Sequence, residues 1–179
     1  MSRLAAILSL AAFFSSHPQE AQRLVSPDKG AVVVITPAGP NKSECQVEIR
    51  SSAGKVLFHK DYASNDGSHG YGVAQAAWTP NSQFFIYTME ESGGRDPWHS
   101  PAWFFSRKLN RMFSLDDLLN DNVSYPTFKM FEPDEVLVTL WTQGTLSKRK
   151  VALSTLLPGK NGAPAKSDNP SNSVPPNQP

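Results

Sequence analysis

Cysteine is almost absent from this chain, since Cys45 is its only cysteine among 179 residues. A single cysteine excludes an intramolecular disulfide, a bond that many small exported domains need for stability. The stability of the fold must therefore come from a buried apolar core or from a partner. A chain of this length is long enough to build one such core.

An excess of charge of either sign is also lacking. The formal net charge is +1, from 17 basic and 16 acidic residues. This balance gives no electrostatic reason to expect nucleic acid or an anionic membrane surface as a partner. In contrast, 15 prolines and 11 glycines indicate a chain with many turns.

Signatures of catalysis and of metal binding are lacking as well. His59, His69 and His99 are dispersed along the chain, without the spacing of a metal-binding pair. No Gly-x-Ser-x-Gly segment indicates a nucleophilic serine. We therefore expect no bound metal, no cofactor and no enzymatic activity.

An apolar run without charge covers residues 4–14, directly after Arg3. A basic residue followed by about eleven apolar residues is typical of a secretory signal peptide. The run is too short to be a permanent transmembrane helix. The sequence thus predicts a signal peptide over residues 1–21 and export to the periplasm or the extracellular space. It predicts no integral membrane segment.

Residues 158–179 consist mainly of Pro, Asn, Ser, Gly and Ala, with no aromatic residue. Such a segment cannot bury enough apolar surface to offset the entropy that ordering costs. We predict a disordered tail here, and a folded domain over residues 22–157.

Three segments of this domain begin alike, with a proline followed by Asp or Asn and then a strongly apolar run. The prolines at 27, 80 and 133 recur at a constant interval of 53 residues (80 − 27 and 133 − 80). The apolar runs cover 31–35, 84–88 and 137–141 and match position by position. The three openings are Ser26-Pro27-Asp28, Thr79-Pro80-Asn81 and Glu132-Pro133-Asp134.

Each copy predicts a turn that leads into a β-strand. Proline fixes φ at the first turn position, and Asp or Asn hydrogen-bonds to its own backbone. The β-branched and aromatic runs are typical of half-buried or buried strands. Further strands bring the expected total to roughly ten. A short helical turn is predicted over 115–119, because Ser114 and Asp117 form a capping-box pattern.

The segment from Trp78 to Tyr87 resembles the WD40-like repeat of TolB-type β-propellers, in which a Ser-Pro-Asp turn precedes an apolar strand. The other two copies match this repeat in the turn and the strand. The resemblance implies antiparallel strand meanders arranged as propeller blades, which members of this family use as binding platforms or gating domains. It covers about a third of the domain, and closed propellers have four to eight blades.

The expected fold is therefore all-β, with antiparallel meander units in a propeller-like or sandwich-like arrangement and one short helical turn. Three units leave free sheet edges, close as a smaller sandwich, or complete a ring with a second subunit. A homo-oligomer is compatible with the last arrangement. Eight large aromatic residues within the strands are expected to fill the core: Trp78, Trp103, Trp141, Phe84, Phe85, Phe104, Phe105 and Phe131.

The loop over residues 90–101 is the candidate binding site. It separates two apolar strands and combines acidic, basic, aromatic and imidazole groups, and loops on a rigid sheet often carry binding function. Trp98 is a candidate anchor and Arg95 a candidate charged contact. Alternatively, Trp98 covers the core and Arg95 pairs with a nearby carboxylate. The candidate residues are Glu91, Arg95, Asp96, Trp98 and His99.

The sequence favours an exported, non-enzymatic binding or assembly protein whose partner is another exported or envelope protein. One alternative is a hydrolase with a site assembled from the loops over residues 64–72 and 90–101. Another is an accessory subunit that completes the propeller of a different protein.

Overall fold

The structure is a computed structural model that describes residues 20–96 and 98–157. The predicted tail, and the predicted signal peptide up to residue 19, lie outside the described residues. The described residues form three four-stranded antiparallel sheets with two short helices, so the predicted all-β class is confirmed. The sequence predicted only the first of the two helices, over 115–119, and roughly ten of the twelve strands. No helix within these residues has the length and apolar character needed to cross a membrane.

The first sheet is a meander in which every strand pairs with the next one along the chain. Buried residues alternate with half-exposed ones in its second strand, so only one face of this sheet packs on the core. The strands are β1 (Gln22–Val25), β2 (Ala31–Ala38), β3 (Glu44–Ser51) and β4 (Val56–Asp61).

The second sheet repeats this meander and ends in a helical turn. Ser114 caps that turn, because its Oγ accepts a hydrogen bond of 3.1 Å from the backbone N–H of Asp117. The predicted turn over 115–119 is thus confirmed. The elements are β5 (Tyr71–Trp78), β6 (Phe84–Glu91), β7 (Ala102–Ser106), β8 (Arg111–Ser114) and α1 (Leu115–Leu119).

The third sheet differs, because two short strands share one side of its central strand. Val123 lies opposite Leu140 at one end of that strand, and Met130 lies opposite Val136 at the other. The elements are β9 (Asn122–Val123), β10 (Lys129–Phe131), β11 (Glu135–Thr142), β12 (Thr145–Ala152) and α2 (Leu153–Leu156).

The second sheet lies between the other two and is buried on both faces. Phe85 and Phe105 belong to a core shared with the first sheet, whereas Phe84 and Phe104 belong to a core shared with the third. Successive residues of a strand point to opposite faces, so adjacent phenylalanines fill different cores. The first and third sheets each keep one outer face.

The first two proline turns have the same geometry. Ser26 Oγ accepts from the Ala31 N–H at 3.0 Å, and Thr79 Oγ1 accepts from the Phe84 N–H at the same distance. The fourth turn residue is left-handed in both, with φ of 59° at Lys29 and 61° at Ser82. The shared Ser/Thr-Pro-Asp/Asn sequence therefore builds one local structure twice.

The third turn is tighter. Phe131 pairs with Glu135 across it, four positions on, whereas Trp78 pairs with Phe85 seven positions on across the second turn. Glu132 stands where the other turns have Ser or Thr. As a result, Val136 rather than Leu137 begins the buried face of β11. The predicted position-by-position match of the third strand is wrong by one residue.

Equivalent parts of neighbouring sheets nevertheless lie side by side. The Asp28 N–H donates to Ser82 Oγ at 3.0 Å, which joins the first turn to the second. The Asn81 N–H donates to the Pro133 carbonyl at 3.3 Å, which joins the second to the third. The sequence interval therefore corresponds to a lateral step from one sheet to the next.

Candidate functional site

Glu44, at the start of β3, organises the loop over residues 64–70. Its side chain is 1% exposed, and its carboxylate accepts hydrogen bonds from the backbone N–H groups of Ser64 and Gly70. It also accepts from the hydroxyls of Ser64 and Ser92. One buried carboxylate thus ties the first candidate loop to the beginning of the second.

The same hydrogen bonds set the charge of Glu44. Desolvation by itself raises the pKa of this carboxyl group, but the bonds from Ser64, Ser92 and Gly70 outweigh it and hold the pKa at about 2. Gly70 lies so close that an added Cβ would stand 2.4 Å from the Glu44 carboxyl carbon. Glycine is therefore required where the loop passes this carboxylate.

The two candidate loops contact each other directly. The Ser92 N–H donates to the Gly70 carbonyl at 2.9 Å, and the Arg95 guanidinium donates to the Ser68 carbonyl at 3.3 Å. The structure therefore brings the start of the 90–101 loop onto the 64–72 loop.

The polar cluster of the 64–72 loop lacks the geometry of a catalytic triad. His69 Nδ1 contacts the Asp66 carboxylate and also lies 3.2 Å from Ser68 Oγ. In a triad the carboxylate and the nucleophile bond to different ring nitrogens, so that the base can pass a proton between them. Hydrogen bonds led by that from the Ser68 N–H lower the pKa of Asp66, which stabilises its charged form in the loop.

His99 faces away from this cluster, towards α1. Its Nε2 lies 3.1 Å from Asp116 Oδ1, and Asp96 is more distant, 3.9 Å from Nδ1. Asp116 also accepts from the N–H groups of Ala102 and Val123 at 2.8 Å. The hydrogen bond to Asp116 raises the pKa of His99. His99 and Asp116 therefore fasten the end of the loop to the second and third sheets.

Glu91 and Arg95 close the tip of the loop through the backbone. The Glu91 carboxylate accepts from the Arg95 N–H at 3.0 Å. Across residues 20–96 and 98–157, the structure gives the Arg95 guanidinium no carboxylate partner within 4.0 Å. Its positive charge stays available at the surface.

Trp98 extends from the loop towards the third sheet. Its ring stacks on that of Trp141 with centroids 5.9 Å apart and planes 30° apart, and the two side chains remain 59% and 37% exposed. Leu146 lies opposite Trp141 in β12 and is 41% exposed. We call Trp98, Trp141 and Leu146 the tryptophan patch.

Trp141 is the site residue that sequence reasoning missed. The expected match to the first two copies places residues 137, 139 and 141 on the buried face, as 31, 33 and 35 are. The one-residue shift at the third turn instead buries 136, 138 and 140 and turns Trp141 outwards. Phe131, at the end of β10 just before this turn, is exposed as well. The core assignment of both aromatics is therefore wrong.

A groove of about 440 Å³ continues from the patch across the outer face of the third sheet. Tyr125, Leu137 and Leu146 contribute apolar surface to it, and Lys129 and Lys148 contribute positive charge. The outer face of the first sheet has a larger groove of about 670 Å³, but no Trp, Tyr or Phe lines it. Binding energy concentrates at Trp, Tyr and Arg. Arg23 and Arg50 line the first groove, but the stacked, exposed tryptophans lie beside the third sheet and favour that sheet as the binding face.

The described residues contain no group of three or more His, Cys, Asp or Glu side chains arranged to hold a metal ion. No protein-family model matches the sequence, and the search of curated proteins found no match either.

Proposed function

We propose that this chain is an exported, non-enzymatic binding protein that holds a partner protein against the tryptophan patch. The observation that carries the proposal is the stacked pair of Trp98 and Trp141, which leaves a large aromatic surface in contact with water. Two stacked rings form a rigid surface that loses little conformational entropy on binding. Such aromatic anchors dominate the energetics of many protein interfaces.

The proposed export of the chain guides the choice of partner. The basic residue and apolar run at the N-terminus have the pattern of a signal peptide. A chain exported in this way meets other exported and envelope proteins, so we propose that the partner is one of these.

The resemblance to TolB-type propellers is compatible with this role, and we propose that the three sheets are successive blades. Two observations support that reading. The sheets stack face to face, and equivalent turns adjoin at nearly constant sequence separation. Blades of such platforms present loops and outer surfaces to their partners.

We expect Trp98→Ala to weaken partner binding by about 30-fold, because truncation of a central aromatic anchor typically costs about 2 kcal/mol or more. The protein and its variants serve as bait in an extract of the native cell envelope, and captured proteins are quantified by mass spectrometry. The dissociation constant of the purified partner is then measured against each bait.

Leu109→Ala is the matched control. Leu109 is 44% exposed, like the tryptophans, but lies in the turn between β7 and β8. We expect this variant to bind the partner as the unmodified protein does. Failure to find any protein that distinguishes the Trp98→Ala bait from the Leu109→Ala bait would refute the proposal.

A further inference from the structure

Within residues 20–96 and 98–157, the third sheet lacks a strand that the other two sheets possess. After the proline turn, the first sheet continues with β2, β3 and β4, and the second with β6, β7 and β8. Among the described residues the third continues with β11 and β12 only. In this part of the chain β12 is therefore the edge strand, next to which a fourth strand would lie.

The turn between β11 and β12 shows which backbone groups of β12 face this edge. Gln143 and Gly144 have φ of 49° and 81°, as a two-residue type I′ turn requires. In such a turn the N–H of Thr145 donates to the carbonyl of Thr142. From there, hydrogen-bonded and non-hydrogen-bonded residue pairs alternate along the two strands, and Leu146, Lys148 and Lys150 belong to pairs without hydrogen bonds to β11. Leu146, Lys148 and Lys150 therefore direct N–H and C=O groups away from β11.

Two observations agree with this assignment. The carbonyl of Thr139, which lies opposite Lys148, accepts from the Ser124 N–H at 2.9 Å on the β9 side. All six residues from Thr145 to Lys150 are exposed. Among the backbone bonds between described residues, none reaches the open side of β12.

The open edge is basic. Lys148, Arg149 and Lys150 follow one another in β12, which contains no acidic residue. Arg149 pairs with Asp121 at 2.9 Å and Lys150 pairs with Glu135 at 2.5 Å. Within the part of the chain that the structure describes, Lys148 has no ion-pair partner, and its side chain lines the groove on the outer face of the sheet.

We propose that an extended, acidic segment of the partner adds to β12 as the missing fourth strand of the third sheet. This inference rests on the proposed function and names its mode of recognition. Strand addition obtains affinity from main-chain hydrogen bonds and specificity from alternate side chains. Side chains opposite Lys148 and Lys150 are acidic, and the one opposite Leu146 is apolar and adjoins the tryptophan patch.

Two other occupants of this edge, a second copy of the chain and its own residues 158–179, are disfavoured. A second copy paired antiparallel through β12 with Arg149 opposite Arg149 would set three consecutive basic residues against the same three, and like charges on adjacent strands are destabilising. Residues 158–179 are rich in proline, which cannot donate to a ladder, and carry more basic than acidic residues.

The test uses the full chain and a fluorescein-labelled eight-residue peptide of valine with glutamate at only two positions, one residue apart, so that these can lie opposite Lys148 and Lys150 while valine lies opposite Leu146. We expect fluorescence anisotropy to show binding that weakens at high salt, because exposed ion pairs are screened. Replacement of every glutamate in the peptide by lysine should weaken binding by at least about tenfold, since like charges then face each other.

Two variants distinguish the contribution of backbone hydrogen bonds to peptide binding from that of the Lys148 charge. Lys148→Pro removes an outward N–H without removing a bond to β11, and we expect it to weaken peptide binding about tenfold. Lys148→Gln keeps that N–H and removes only an exposed charge, so we expect about a two- to fivefold loss. Circular dichroism monitors folding, and a peptide N-methylated at alternate residues tests the same bonds on the unmodified protein.

Several results would overturn the inference. These are no binding at roughly 1 mM peptide, or binding that is unaffected by both Lys148→Pro and N-methylation. Slow amide exchange at Leu146, Lys148 and Lys150 in the free protein would show that the edge is already occupied. If Trp98→Ala loses the captured partner and Lys148→Pro retains it, the proposed function stands and strand addition is rejected.

Discussion

Phe104→Ala and Phe105→Ala should each destabilise the protein by about 3–5 kcal/mol, although the two residues are neighbours on one strand. In a sheet with one solvent-exposed face, truncation of only one of two adjacent residues would strongly reduce stability. Here both rings are fully buried, Phe104 in the core with the third sheet and Phe105 in the core with the first. Chemical denaturation of the two variants measures the effect.

The adjacent pair Val33 and Val34 in β2 is the matched control. Val33 is fully buried, whereas Val34 lies on the outer face of the first sheet. We therefore expect Val33→Ala to be clearly destabilising and Val34→Ala to be nearly neutral, within about 0.5 kcal/mol. If Phe104→Ala and Phe105→Ala differ as strongly as this control pair, the second sheet is not packed on both faces.

Glu44→Gln should lower the stability of the protein markedly at neutral pH and loosen both candidate loops. The amide has one acceptor oxygen where the carboxylate has two. Because the N–H groups of Ser64 and Gly70 donate to different carboxylate oxygens, the NH₂ group of the amide would face one of these two donors in either orientation. Buried donors without partners are unfavourable. Thermal unfolding measures stability, and amide exchange at residues 64–70 and 90–95 measures loop order.

This effect should depend on pH. The folded-state pKa of Glu44 is about 2, well below the ordinary value of 4.5. A depressed pKa contributes stability above the unfolded value, and the contribution is lost as pH falls towards the folded value. The difference between the unmodified protein and Glu44→Gln should therefore shrink between pH 5 and pH 2. A difference that stays constant over this range would contradict the assigned role of Glu44.

Local chemistry explains which parts of the fold the sequence could predict. A Ser or Thr two positions before the Asp or Asn closes the first two turns through its own hydroxyl, so their structure follows from a few adjacent residues. The cap of α1 by Ser114 is local in the same way. The apolar runs after the turns were sufficient to place β2, β6 and β11.

Neither the set of β11 residues that is buried nor the location of the proposed binding face was predictable in this way. The register of β11 depends on a turn in which Glu132 takes the place of Ser or Thr, and a one-residue shift moves every side chain to the other face. Trp141 then becomes exposed and meets Trp98 from a loop more than forty positions earlier. The role of Glu44 depends equally on distant partners, the loop residues Ser64, Gly70 and Ser92.

Photo-crosslinking in living cells tests the central claim most directly, that the tryptophan patch is a binding face. A photoreactive phenylalanine derivative replaces Trp98 in one variant and Leu109 in the other, and adducts are detected after irradiation. We predict a discrete adduct with another exported or envelope protein from position 98 and none from position 109. No adduct from position 98, or the same adduct from both positions, would contradict the account.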